Sequence, residues 1–237
     1  MKRILIILLS LIIIGAIGFG VFYLISQDSE VAVTPSEKSS VTIEENEVTG
    51  WREDDRSGIS SEKGLLKVWP DGGPGLIWST NELPKGHSSP TFGNNTIYIT
   101  GLEEPNDVLI ALDPSGKIKW KTSYGRFWEK SYPESRCTPT VDGEKVYVSS
   151  GFGDLACING ISGEIIWSVK ASEENGGTYG PWGIAESPMI DGEKLYFTTG
   201  GPQTTTIALN KNSGELIWKS ESVDDPASYL SPILVEK

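Results

Sequence analysis

The sequence predicts an all-β fold: a β-propeller of four-stranded blades, with about three complete blades and an incomplete ring, preceded by one transmembrane helix. The first observation behind this is self-repetition. Residues 138–167 read TPTVDGEKVYVSSGFGDLACINGISGEIIW, and variants of the same text occupy 187–218 and 89–120. The second is spacing. Pro90, Pro139, Pro188 and Pro232 lie 49, 49 and 44 residues apart, and the first three each stand eight residues before a tyrosine, Tyr98, Tyr147 and Tyr196. The third is a closing tryptophan, Trp78, Trp120, Trp167 and Trp218, at intervals of 42, 47 and 51 residues. A period of about 40 to 50 residues marks a solenoid, propeller or array and overrides local propensity.

The elements of one unit follow from its pattern. Asp142-Gly143, Asp191-Gly192 and Gly93-Asn94 tolerate the positive φ of a tight hairpin turn, so the proline-led segment and the tyrosine segment pair as strands. A third strand (Ile110-Ala111-Leu112, Ile207-Ala208-Leu209) runs through a polar turn ending in Gly116, Gly163 or Gly214 into a fourth strand that ends on tryptophan. Each unit is therefore a four-stranded antiparallel meander. A sheet with two apolar faces cannot bury both alone, and four-stranded units of this length stack radially. Trp78, Trp120, Trp167 and Trp218 are then the wedges that dock blade on blade.

Taken in chain order, residues 4–25 are apolar apart from Ser10. At 1.5 Å per residue they reach about 33 Å, enough to cross a hydrocarbon core of roughly 30 Å. The alternative is a cleaved secretory signal, but its apolar region is about 7 to 15 residues long and ends in small residues, whereas this run ends in Val21, Phe22, Tyr23, Leu24 and Ile25. A lipoprotein signal is excluded because the first cysteine is Cys137. Lys2 and Arg3 before the run, with Asp28 and Glu30 after it, leave the N-terminus cytoplasmic and the rest outside. The expected organisation is a cytoplasmic start (1–3), an anchor (4–26), a flexible acidic linker (27–49) without aromatic residues, and a propeller (50–237).

Beyond the apolar run lie 18 of the 20 basic residues and all 32 acidic ones, a formal balance of −14. Nucleic acid is therefore not an expected partner, since its binding rests on clustered Lys and Arg. Residues 51–80 hold three of the eight tryptophans but lack the proline–turn–tyrosine half of the repeat; only Gly75–Trp78 matches a fourth strand. Three complete units run from Ser89 to about Glu221, and a fourth begins at Ser231-Pro232. The expectation is the N-terminal portion of a longer propeller, with Gly75–Trp78 as the closing strand of a C-terminal blade and an apolar blade face bare at each end of the arc.

The form LIALDPSGKIKW (109–120), IALNKNSGELIW (207–218) and GEIIW (163–167), each after a proline-led hairpin, resembles the tryptophan-docking repeat of pyrroloquinoline-quinone (PQQ) type propellers. These include quinoprotein alcohol dehydrogenases and the periplasmic lipoprotein of the outer-membrane β-barrel assembly machinery. The opening of the folded part (51–78), with GIAESPMIDGEKLYFTTGGP (183–202), is similar to exported bacterial propellers of that kind. The resemblance covers residues 51–237 and implies the fold; one fold hosts many functions. Together with the apolar run and its flanking charges, the expectation is a bacterial inner-membrane, single-pass protein with its propeller on the periplasmic or extracellular side.

Chemistry has few carriers. His87 is the one histidine, so histidine metal sites and most nucleophile–base–acid arrangements lack their parts. Gly151-Phe152-Gly153-Asp154-Leu155-Ala156 matches a dinucleotide pattern on paper, but a strand follows where that pattern needs a helix. Cys137 and Cys157 fall on first and third strands, about 9 to 10 Å apart, beyond the roughly 7 Å a disulfide allows. Two thiols are expected. Quinoprotein dehydrogenases carry adjacent cysteines beneath the cofactor, and no Asn/Glu/Asp set here matches their calcium and catalytic positions.

No catalytic or metal residue is therefore assigned. The candidates for ligand binding are Arg126, Trp128, Arg136, Tyr179, Trp182 and Glu186, crowded in the connections between units, where aromatic residues with a few charges suit sugars, peptides or a planar cofactor. The same aromatics also suit gap filling between blades. The function expected is a membrane-anchored, non-catalytic binding or scaffold module, with a protein or glycan at the rim and the inner membrane held through residues 4–25. The alternative is a PQQ-dependent alcohol dehydrogenase-like oxidoreductase with PQQ and calcium on the axis.

Overall fold

The computed structural model describes residues 48–53, 55–60 and 62–235. The expected anchor (4–26) and most of the linker (27–49) lie outside the described residues. Among the described residues, no helix is long and apolar enough to cross a membrane.

Three four-stranded antiparallel sheets carry the fold, each in chain order. The first holds β1 (Thr91–Gly93), β2 (Thr96–Glu103), β3 (Asn106–Leu112) and β4 (Ile118–Arg126). The second holds β5 (Thr140–Asp142), β6 (Lys145–Ser149), β7 (Leu155–Asn159) and β8 (Ile165–Val169). After a single helical turn, α1 (Ala171–Glu174), the third holds β9 (Met189–Asp191), β10 (Lys194–Thr198), β11 (Thr206–Asn210) and β12 (Leu216–Lys219).

The sheets stack because their middle strands are apolar on both faces. Side chains alternate along a strand, so Val146 and Val148 of β6 join Tyr98, Leu109 and Ala111 of the first sheet, while Tyr147 between them joins Leu195, Phe197, Ile207 and Leu209 of the third. β7 divides likewise, Ala156 and Ile158 to one side and Leu155 and Cys157 to the other. The second sheet is thus the shared wall of two cores.

Register explains the recurring residues. One row crosses each blade: Thr91, Tyr98, Ala111 and Trp120 in the first, Thr140, Tyr147, Cys157 and Trp167 in the second, Met189, Tyr196, Ala208 and Trp218 in the third. Tyrosine and tryptophan approach each other over the small third-strand residue, with ring centroids 6.0, 6.2 and 5.9 Å apart. A large side chain at Ala111, Cys157 or Ala208 would separate the two rings, and Cys157 serves there as a small apolar residue.

Trp78, Trp120 and Trp167 then each reach the next unit, while Trp218 does not. A Cβ on Gly116, Gly163 or Gly214 would meet the ring of Trp78, Trp120 or Trp167 at 2.6, 2.7 and 2.8 Å, and these glycines have φ of +84, +78 and +75°. Trp78 and Trp167 also donate their indole N–H to Pro114 O and Lys211 O, both at 2.9 Å. Trp167 is 8% exposed, whereas Trp218, which no described glycine faces in this way, is 39% exposed.

The inner strands are tied by hydroxyl groups that recur with the repeat. The N–H of Ser89 donates to Thr138 Oγ1, that of Thr138 to Ser187 Oγ and that of Ser187 to Ser231 Oγ, at 3.1, 3.2 and 2.9 Å. A second series runs within blades: the side chain two residues before each proline accepts from the strand that follows, Ser88 from Thr100 N, Cys137 from Ser149 N and Glu186 from Thr198 N. Ser231 therefore takes the place in a fourth unit that Ser187 takes in the third.

Three expectations need correction. β4 runs past Trp120 to Arg126, because β2 and β3 form a long hairpin whose whole length β4 can pair. Gly75–Trp78 lies in no strand; only the Trp78 side chain repeats the pattern. The free face of the first blade is not bare either, since Ile97, Val108, Ile110 and Leu112 are buried there with Leu83 packed against them.

The docking geometry makes a differential prediction. Gly143 has φ of +57° with nothing near its Cβ position, whereas Gly163 has positive φ and the Trp120 ring at 2.7 Å. Both Gly143→Ala and Gly163→Ala strain the backbone, but Gly163→Ala should be worse by about 1–3 kcal/mol of overpacking. Trp167→Ala should lose about 3–5 kcal/mol. Thermal and urea melts of the detergent-solubilised full chain check this, and equal losses at Gly143 and Gly163 would remove the tryptophan contact as a constraint.

Candidate functional site

The connections between blades meet on one rim, and Trp128 stands where they meet. It follows β4, is 1% exposed, and packs on Phe152 at 5.0 Å and edge-on to Tyr179 at 5.3 Å between ring centroids. A side chain on Gly183 would strike its ring at 2.7 Å, so a glycine lets the second connection close over the indole. Trp128 Nε1–H donates to Ser131 Oγ at 3.3 Å, and Ser131 Oγ–H donates to Pro181 O at 2.9 Å. The third connection joins through a bridge between Tyr179 and Ala227 and a bond from Ala227 N to Thr178 O of 2.8 Å.

Exposed rings stand on the same connections. Trp182 is 51% exposed and Tyr229 is 41% exposed, with centroids 5.3 Å apart. Tyr132 also stands exposed, and its carbonyl and that of Ser131 accept from Arg136.

The charges of the rim are engaged within the protein. Arg126 donates through Nε and Nη2 to both oxygens of Asp154, at 2.8 and 2.5 Å, pairs with Glu173 at 3.1 Å and lies over Phe152. The Asp154 bonds, with Glu173 behind them, hold its pKa above the ordinary guanidinium value. A groove of about 480 Å³ runs beside it, lined in part by Asn106, Tyr124, Asp154 and Lys170. Arg136 is lowered by burial, against the attraction of Asp107.

Asp107 itself is buried: Oδ2 accepts from Gly151 N at 3.4 Å, Oδ1 has no partner, and burial pushes its pKa up to about 7. Glu186 is fully enclosed as well. Its Oε1 accepts from Thr198 N at 2.9 Å, Oε2 is unpartnered, and burial pushes it up to about 8 despite the nearby Arg56 charge.

Of the six residues chosen from sequence, Trp128 and Tyr179 are in direct contact, Arg126 joins them through Phe152, and Trp182 stands on the same connection. Glu186 occupies the acceptor slot of Ser88 and Cys137. Trp128 and Glu186 are too enclosed to touch a ligand as they stand, so their place is in the foundation. Phe152, Tyr229, Asp107 and Arg56 were not singled out, and only Phe152 left a trace, inside the glycine turn 151–153. Cys137 and Cys157 are separate buried thiols, both pushed up to about 11 mainly by burial. His87 pairs with Glu134 at 3.5 Å.

Residues 125–235 match the protein family described as outer membrane protein assembly factor BamB. The repeat is of the PQQ-like β-propeller kind. A Rickettsia conorii protein, "Uncharacterized protein RC0314", is 25% identical over 140 residues, which is 53% of this chain and 31% of that one. Among solved structures, BamB from Moraxella catarrhalis is 20% identical, covering 60% of this chain and 37% of its own, with a TM-score of 0.39. Quinohemoprotein alcohol dehydrogenase from Comamonas testosteroni is 20% identical, covering 57% and 21%, with a TM-score of 0.44. The matched part of this PQQ-like propeller thus spans about a third or less of the Rickettsia protein and of the dehydrogenase, and under two-fifths of BamB.

A calcium-supported quinone needs a gathered donor set, and among the described residues no three His, Cys, Asp or Glu side chains are placed to hold a metal ion. The described residues therefore do not supply that donor set.

The two buried carboxyls set a pH dependence. Unfolded Asp and Glu release their protons near pH 4, whereas folded Asp107 and Glu186 hold theirs to about 7 and 8. Below about pH 4 both states are protonated and neither group contributes a slope. Between about 4 and 7–8 the folded state binds the extra proton, so stability falls as pH rises, by up to about 1.4 kcal/mol per pH unit per group. Asp107→Asn and Glu186→Gln should each flatten that fall in urea melts from pH 5 to 8; slopes equal to wild type would overturn the assignment.

Proposed function

We propose that this chain is an exported, membrane-tethered propeller that binds a protein partner, without catalysis, at the rim where the three connections meet. The observation that carries the reading is the Trp182–Tyr229 pair, exposed at 51% and 41% on the connections that also hold buried Trp128 and half-buried Phe152 and Tyr179. Rigid aromatic rings presented to solvent lose little conformational freedom on binding and anchor protein interfaces, where Trp and Tyr dominate the binding energy. The rim cations favour no competing reading, because Arg126 and Arg136 are already bonded within the chain. The matched family is described by a role in outer-membrane protein assembly, work done in contact with other proteins. Tethering rests on the apolar run 4–25 and its basic start, which put the propeller on the outer side of the inner membrane.

Photo-crosslinking in cells that express the full chain tests the rim. A crosslinking amino acid at position 182 or 229 should give one discrete protein adduct, and at exposed Lys117, on the β3–β4 turn, it should not. Tyr229→Ala should remove the adduct from position 182 without lowering the melting temperature. No adduct at either rim position, or the same adduct from 117, overturns the assignment. For the tether, intact mass of the membrane-extracted protein should include residues 4–26; a mature N-terminus between residues 20 and 32 would contradict it.

A further inference from the structure

The inner edge of the blades carries a second surface, unrelated to the rim aromatics. In the hairpins β1–β2, β5–β6 and β9–β10 the pairs Gly93↔Thr96, Asp142↔Lys145 and Asp191↔Lys194 flank the turn. Hydrogen-bonded and non-bonded pairs alternate in an antiparallel ladder. The next pairs, through Phe92, Val141 and Ile190, therefore turn their N–H and C=O groups away from the hairpin, toward the inside of the arc. Two of these donors are occupied by the chain itself: Phe92 N–H donates to Val48 O at 2.9 Å and Val141 N–H to Thr49 O at 2.6 Å. One residue of an extended segment thus serves one blade.

The segment then leaves. After Gly50 the chain turns through Arg52, Glu53 and Arg56, all with positive φ, and Arg56 donates to the carbonyls of Ser187, Pro188 and Pro232 instead. Ile190 N–H, the third donor of the series, has no partner among the described residues. It faces a cleft of about 430 Å³ lined in part by Glu53, Asp55, Arg56, Asp142, Asp191 and Leu234, within the range of about 300–1,000 Å³ usual for binding sites. Leu234 stands two residues after Pro232, as Ile190 stands two after Pro188, so the same inward position recurs there.

The charge of the cleft is one-sided. Glu53, Asp55, Asp142 and Asp191 line it, Lys211 answers only Asp142 at 2.6 Å, and the one lining cation, Arg56, is engaged by carbonyls.

We propose that this cleft binds an extended basic peptide, whose carbonyls continue the line that Val48 and Thr49 begin while its Lys or Arg side chains meet the lining carboxylates. Recognition is by backbone hydrogen bonds to successive inner strands, one per blade, which give affinity, while charge gives selectivity. The occupant is an extended polypeptide because the groove already seats one, this chain's own residues 48–49.

The test uses the full chain in detergent and two labelled hexapeptides, alternating Lys-Val and alternating Glu-Val, followed by fluorescence polarisation and by amide exchange. The lysine peptide should bind and the glutamate peptide should not. Asp191→Asn should weaken binding by about tenfold, and Trp182→Ala should leave it unchanged, so failure here and failure at the rim are separable. In the free protein the amides of Phe92 and Val141 should exchange slowly and that of Ile190 fast; the lysine peptide should slow Ile190. Equal binding of both peptides, or binding of the lysine peptide with Ile190 exchange unaltered, overturns the proposal, the latter because it leaves only attraction to an acidic surface.

Discussion

A tryptophan ring laid on a glycine of the following unit holds this molecule together. Trp167 and Trp218 show what the contact supplies. They occupy the same row, pair with the same kind of tyrosine at 6.2 and 5.9 Å, and follow the same Gly-Glu-(Ile/Leu)-Ile text, yet one is buried and the other stands 39% exposed. The difference is Gly214 against Trp167. A blade does not bury its own tryptophan; its neighbour does, and so each blade's stability is a property of the pair. The glycine is doubly determined, by a left-handed turn and by the absence of room for a methyl group, which is why the turn can repeat with such varied text (Asp-Pro-Ser-Gly, Gly-Ile-Ser-Gly, Lys-Asn-Ser-Gly) and keep its last residue.

This dependence also explains what could be read from the sequence and what could not. Features written once per blade were legible, because three copies separate the required from the incidental: the proline before the inner strand, the tyrosine eight residues on, the small residue at Ala111, Cys157 and Ala208, and the docking tryptophan. The rim is written once. Trp128 and Trp182 both read as aromatic residues in connections, and nothing in their text separates 1% from 51% exposure; that difference arises from Gly183 and Phe152, which come from other parts of the chain. Glu186 was within reach. Aligned two residues before its proline it falls beside Ser88 and Cys137, which marks it as a backbone acceptor, not a rim charge. Arg56 left no trace, since its partners are the carbonyls of Ser187, Pro188 and Pro232, some 130 to 176 residues away in sequence.

An inner strand of three residues poses a general difficulty, because its outward edge leaves donors and acceptors unpaired near the axis. The chain answers it in layers. Hydroxyls at Thr138, Ser187 and Ser231 take the N–H groups that precede the strands, the main chain of Val48 and Thr49 takes those in the middle, and a guanidinium takes carbonyls where the strap turns away. Buried Glu186 beside Arg56 is consistent with that arrangement: the carboxyl accepts one N–H, and its remaining oxygen sits in a region where burial, not the arginine, sets the balance.

The rim and the inner edge are therefore different kinds of surface for a physical reason. At the edge, recognition is by the backbone, which any extended chain possesses, so selectivity must come from charge, and Asp191, Asp142, Glu53 and Asp55 supply it. At the rim, backbone groups are already joined, as Ile184 N to Gly151 O and Ala227 N to Thr178 O, and the arginines are engaged, so side-chain shape is what remains to be read. Exposed rings would ordinarily fold inward to escape water. At Trp182 the adjoining Gly183 already closes over the Trp128 indole, which in turn packs on Phe152 and Tyr179. The buried tryptophan is part of the packing of the rim, while Trp182 stands half exposed on the adjoining connection.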